Sequence, residues 1–293
     1  MAAATFKDYT YEHFLVTAPS PFVVHVEINR PKKLNAFSEP VWREFGPLFN
    51  RLSHDPDVRA VVLSGAGDRA FSAGLDVQSA SEGTLGSAIG GDMDPSRYAT
   101  MMRRHIVEFQ AAIDAVEKCE KPVICVLHGI SIGIAIDISC CADVRICARN
   151  TRFSVKEVDI GLAADLGTLS RLPKLVGSTS WVKDVCLSAR DFSGEEALAV
   201  GFVSQVHADK AAALDAGLKL AGFIAGKSPV AVQGTKELLN HARDHSVAES
   251  KHCPGPQGLR YTTVWNAAML QSCDFKTAMM SGLTKTKPTF AKL

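Results

Sequence analysis

The segment KPVICVLHGISIGIAIDISCCADVRIC, Lys121 to Cys147, decides the fold. Between Lys121 and Asp143 almost every residue is apolar or small, and His128 and Asp137 are the exceptions. Its length would suit a membrane span. The aspartate, the histidine and the glycines inside it, with no second span and no aromatic belt, argue against one. It reads instead as a buried strand (PVICVLHG, strand 122–127), a turn, and a buried helix over 132–142, followed by the strand DVRICA. A carboxylate in such a run is costly to desolvate, so Asp137 is expected either to pair with a cation such as Arg145 or to face a pocket.

Outward from this segment, strands and helices alternate. FVVHVEINR is β-branched and partly alternating, hence a strand. Ser38 stands where a helix cap belongs, with Glu39 and Pro40 behind it and Val41, Phe45, Leu48 and Leu52 at helical spacing. VRAVVLSGAG is a second strand, and AFSAGLDV a turn after it. Ser79–Ser96 is rich in Gly and Ser and reads as a loop that could cover a pocket. A helix follows from about Arg97 to Glu117. RFSVKEVDIGLAADLGTLSRLPKLVG reads as short strand, loop and helix. SGEEALAVG carries a capping box, Ser193 with Glu196, and a terminal Gly201. From about Ala208 the chain is helical, with a third helix around Trp265 to Leu270. The fold class is therefore α/β with a helical C-terminal part, divided at 1–206 and 207–293.

Composition narrows the function. The 293 residues carry 32 basic and 31 acidic side chains, and 46% of the chain is hydrophobic, so a folded globular protein without a chain-wide basic field for nucleic acid is expected. Eight cysteines form no CxxC pair and sit mostly in apolar segments, which reads as buried reduced thiols and no zinc site. No glycine-rich dinucleotide fingerprint opens a βαβ unit. The N-terminus lacks the apolar core of a secretory signal.

Two backbone sites and three acids carry the chemistry. FSAGLD, Phe71 to Asp76, puts a glycine turn after a strand. HGISIGIAID leads through Gly129 and Gly133 into a helix whose N-terminus presents unpaired N–H groups. Two such amides converging on one carbonyl oxygen make an oxyanion hole. Asp137, Glu157 and Asp165 are the acids. Taken singly, Glu157 is equally a solvated loop residue and Asp165 a helix cap; taken together in a dry pocket they have raised pKa values and move protons near neutral pH.

In order and spacing, FSAGLD, then PVICVLHGISIGIAIDISCCADVRI, then FSVKEVDIGLAADLGTLSRLPKLVG resemble the enoyl-CoA hydratase/isomerase (crotonase) superfamily, over nearly the whole chain. Asp137 where hydratases have Glu, Asp165 where they have a small residue, and KSPVAVQGTKELLNHARDHSVAES resemble its dienoyl-CoA isomerase branch. The resemblance implies a crotonase-like spiral of repeated ββα units with a helical C-terminal oligomerisation region. It implies oxyanion amides at Leu75 and Ile134, and a thioester site along Ala73, Gly74, Leu75, Asp76 and Val77. Asp137, Glu157 and Asp165 become the catalytic acids. The expected reaction is 3,5-dienoyl-CoA to 2,4-dienoyl-CoA in unsaturated fatty acid β-oxidation. An enoyl-CoA hydratase and a non-catalytic acyl-CoA- or partner-binding protein are the alternatives. CoA belongs to the substrate; Arg30, Lys32 and Lys33 are candidates for its phosphates and equally a solvated surface cluster, and no metal or other cofactor is expected. A homotrimer or homohexamer is implied. One departure stands out: Gly133-Ile134-Ala135 replaces the family's glycine run. The final Ala291-Lys292-Leu293 resembles the Ser-Lys-Leu address read by the peroxisomal import receptor, which favours the peroxisome over the mitochondrion.

Overall fold

The computed structural model describes residues 6, 8–83, 94–245 and 257–293. The chain opens with β1 (Phe14–Ser20) and β2 (Val23–Ile28), an antiparallel pair in which Phe14 faces Ile28. A 3-10 turn at Pro31–Lys33 leads to α1 (Glu39–His54), which starts where expected. The Ser38 side chain makes no capping bond there. The apolar stripe of α1, from Val41 to Leu52, is buried.

A spiral follows. β3 (Ala60–Gly65) is followed by β4 (Ala70–Ser72), α2 (Val77–Glu82) and α3 (Pro95–Lys118). β5 (Val123–Leu127) is followed by β6 (Ile130–Ile132) and α4 (Ile134–Cys141). β7 (Val144–Ala148) is followed by β8 (Arg152–Ser154), a 3-10 turn at Glu157–Ile160, α5 (Thr168–Leu175) and α6 (Thr179–Ser188). Each turn gives its first strand to one sheet and its second to another. β9 (Phe192–Ser193), α7 (Gly194–Ala199) and β10 (Gln205–His207) complete the two sheets. The larger runs β1-β2-β3-β5-β7-β10, parallel from β2 onward, and the smaller β4-β6-β8-β9. The repeated ββα units are thus present, and strands such as β3 and β5, buried on both faces, read as continuous apolar runs.

The main core fills the space between the large sheet and α1, α3 and α4. The opposite face of that sheet is covered by α8 (Lys210–Ala225), whose Ala213, Gly217, Ala221 and Ala225 let it lie close on Val62, Ile124 and Val126. α9 (Pro229–Asp244), α10 (Gln257–Met269) and α11 (Cys273–Thr284) follow. The last residues fold back on the body: Arg59 donates to the carbonyls of Ala225, Phe290 and Ala291, and Lys292 pairs with Asp57.

Several details differ from the sequence reading. The first residues of the Ser79–Ser96 loop belong to α2 and the last to the start of α3, where Asp94 caps Ser96 and Arg97 through its side chain. Residues 84–93 of that loop lie outside the described residues, as does Cys253. The other seven cysteines are unpaired, six of them buried. Ser193 caps the amide of Glu196, but the Glu196 carboxylate does not return the bond. It binds Trp181 and Arg190 instead, so half of the capping box forms. No described helix is long and apolar enough to cross a membrane.

Candidate active site

The turn after β4 and the start of α4 lie side by side. Gly74 has φ +90° and Gly133 φ +56°, both in the left-handed region that glycine tolerates. A Cβ on Gly74 would stand 3.2 Å from the carbonyl oxygen of Ile132, and one on Gly133 would stand 3.5 Å from the Cα of Gly74. At Gly74 the contact is tight, while at Gly133 it is ordinary and the positive φ is what favours glycine. Phe37 fixes the first turn by donating to Gly74 O at 2.8 Å and accepting from the amide of Asp76 at 2.8 Å. The amide of Leu75, between them, has no hydrogen-bond partner among the described residues, and neither does that of Ile134 at the first position of α4.

Ile134 therefore answers the question raised by its side chain. That side chain is 4% exposed and packs in the main core, while its backbone borders the cavity. Replacing the family's glycine leaves the N–H in place.

The two amides open on a cavity of about 800 Å³ lined by Ala73 to Val77, Gly133, Ile134 and all three acids. Its apolar wall comes from Trp42, Met102, Ile106 and Phe109, on α1 and α3. Trp42 stacks on Phe109 with ring centroids 5.0 Å apart.

Asp137 is 1% exposed. Arg145 is not its partner: that guanidinium donates to the carbonyls of Ser139, Ala142 and Phe202. Oδ1 of Asp137 instead accepts from the amide and the hydroxyl of Thr168, at 2.8 and 2.7 Å, at the N-terminus of α5. Burial, and then the Glu157 carboxylate, push its pKa up to about 7 against the pull of these two bonds.

Glu157 starts a 3-10 turn, half-buried, with Oε1 beside Gly133. Its Oε2 is buried and has no hydrogen-bond partner among the described residues. Burial, with Asp165 adding to it, raises its pKa. Asp165 is the most open of the three and is not a helix cap, since Gly167 stands at the start of α5. Its backbone carbonyl accepts from Gln110 at 2.6 Å. Desolvation raises its pKa too, while its own amide and His105 pull the other way.

Arg30 is not free for a phosphate. It pairs with Asp76 at 3.1 Å, and Asp76 in turn caps α2 through Ser79. Lys32 and Lys33 are exposed. Among the described residues the one group within metal-ligand reach is Glu12, His13 and Glu44, none of which lines the cavity. Sequence reasoning missed Thr168, Trp42 and His105. The first signals itself only as a threonine at a helix start; the others lie on helix faces counted as core.

Residues 20–268 match the family model described as enoyl-CoA hydratase/isomerase. The mitochondrial Δ(3,5)-Δ(2,4)-dienoyl-CoA isomerase of Pongo abelii is 44% identical over 290 residues, 98% of this chain and 84% of that protein. The peroxisomal Δ(3,5)-Δ(2,4)-dienoyl-CoA isomerase of Arabidopsis thaliana is 44% identical over 92% of this chain and 93% of its own. In fold, the chain is similar to an enoyl-CoA hydratase of Bacillus anthracis, with a TM-score of 0.82 at 23% identity over 96% of this chain and 99% of that one.

Proposed function

Because the chain belongs to the enoyl-CoA hydratase/isomerase family, we infer that it isomerises 3,5-dienoyl-CoA to 2,4-dienoyl-CoA. The observation that carries the reading is the meeting of three carboxyl groups with raised pKa values and two open amides on one cavity.

The chemistry asks for this set. Loss of a C2 proton from a 3,5-dienoyl thioester gives an extended dienolate whose charge gathers on the thioester oxygen. The Leu75 and Ile134 amides stabilise that oxygen; one such donor is worth about 3 kcal/mol. The anion then takes a proton at C6, four carbons from C2. One carboxylate does not reach both ends, so Glu157 beside Gly133 serves C2 and Asp165 serves C6. Asp137, held by Thr168, lies in the field of the Glu157 carboxylate, which adds to burial in raising its pKa. Ala73 to Val77 border the thioester. Proton transfer alone effects the change, so the reading calls for no metal, nicotinamide or flavin.

The finer assignments follow from the same reading. The protein acts in unsaturated fatty acid β-oxidation. The exposed side chains of Leu270, Phe275, Met279, Met280 and Leu283 cover one another in a homotrimer or homohexamer. Ala291-Lys292-Leu293 addresses it to the peroxisome through the import receptor; relatives are named both mitochondrial and peroxisomal.

The test is direct. Purified protein given a 3,5-dienoyl-CoA should generate the conjugated 2,4-diene chromophore, and given a 2-enoyl-CoA should form little 3-hydroxyacyl-CoA. Hydration without diene isomerisation would overturn the assignment.

A further inference from the structure

The three acids differ in how they are held. Asp137 is buried and bonded to Thr168, and Glu157 is half-buried beside Gly133. Asp165 is exposed, and it borders both the main cavity and an outer groove. Among the described residues no other side chain bonds to its carboxylate. Neither burial nor a partner fixes that group, so the backbone that carries it must.

The anchor is α3, which has two working stripes. Met102, His105, Ile106 and Phe109 repeat at helical spacing and line the cavity. Gln110, Asp114 and Glu117 repeat in the same way and meet the segment 165–171. Nε2 of Gln110 donates to the carbonyl oxygen of Asp165 at 2.6 Å. At the other end of the segment, Arg171 donates to Asp114 at 2.7 Å and to Glu117 at 2.7 and 3.0 Å. Thr168, between the two anchors, holds Asp137. The Arg171 end is secured by several charged bonds. Among the described residues, the Gln110 bond is the one hydrogen bond that another residue makes to residues 163–166.

We propose that Gln110 is a positioning residue, holding Asp165 where it can deliver a proton to C6. The assignment rests on the functional reading above. Proton transfer is sensitive to such placement, since a displacement of about 1 Å can cost about 100-fold in rate. The dienolate formed by Glu157 has two fates. It takes a proton back at C2 and returns to substrate, or takes one from Asp165 at C6 and becomes product. Loosening Asp165 slows the second fate and leaves the first untouched.

The test is Gln110→Ala with 3,5-dienoyl-CoA in deuterated water, following 2,4-diene formation and deuterium at C2 of the recovered substrate. Expected is a fall in kcat of about tenfold with KM within about twofold, and a rise of about tenfold in C2 exchange per product formed. Gln110→Met keeps the length of the side chain but donates nothing, so it should behave alike, and it serves if the alanine variant melts early. Wild-type kcat in either variant would overturn the proposal. So would a slower enzyme whose exchange per product does not rise, because a generally loosened site slows both fates. A wild-type protein that fails to isomerise the diene would instead sink the functional reading beneath it.

Discussion

Asp137 weakens the fold where it stands. Its pKa lies near 7 in the folded chain, against an ordinary value of 3.8. The folded state thus holds a proton that the unfolded chain releases from about pH 4 upward. The resulting stability is present at low pH and lost as pH rises through 7. Asp137→Asn keeps an oxygen for Thr168 and removes the charge. It should raise Tm by several degrees at pH 8 and by less at pH 5, read by thermal melts at both. The same variant should turn over more slowly, since one of the three acids that line the cavity is lost. Asp165→Asn separates chemistry from binding: kcat should fall by at least ~100-fold while binding of a non-reactive acyl-CoA changes little. Unchanged kcat would remove Asp165 from the C6 step. None of the three acids was interpretable alone in the sequence, because each has an ordinary structural use. What singles them out is a shared cavity, and residues 137, 157 and 165 reach it from a helix, a 3-10 turn and a loop.

Secondary-structure elements position the two amides. β4 ends at Ser72 and α4 begins at Ile134, and the Gly74 and Gly133 turns bring these ends together. Gly74→Ala forces a side chain onto φ +90° and 3.2 Å from the Ile132 oxygen. A cost of about 1–2 kcal/mol in denaturant melts is expected. The loss in kcat should exceed what stability explains, because the Leu75 amide moves with the turn. The long helices α1, α3, α8 and α9 and the buried strands β3 and β5 were legible because apolar periodicity and length agree in them. β1 was not: its half-exposed sequence, with Pro19 near its end, hides a strand whose stability comes from pairing with β2. β6 and β9, three and two residues long, lie below what any local pattern can signal. They exist because each spiral turn must hand a strand to the second sheet.

At the scale of the whole molecule, buried histidines set its acid limit. His25, bonded to Ser64 at 2.8 Å, and His128, bonded to Gly67 O at 2.9 Å, are held near pKa 4 by burial, with Lys210 adding to it. Below about pH 6.5 the unfolded chain takes up protons that these rings refuse. Their contribution is therefore lost as pH falls from 6.5 towards 4. His25→Asn should lose less Tm than wild type between pH 7 and pH 5, and a parallel pair of curves would refute this. By itself, the sequence determined the α/β class with its helical end and the residues able to do acid–base chemistry, while the ββα spiral was implied by the resemblance. Hydrophobic periodicity and short motifs are local and survive in one dimension. Tertiary structure alone decided that Asp137 leans on Thr168 rather than Arg145, that Arg30 is spent on Asp76, and that His105 and Trp42 wall the cavity. Those are choices among partners far apart in the chain, and only packing brings one within bonding distance and excludes the others.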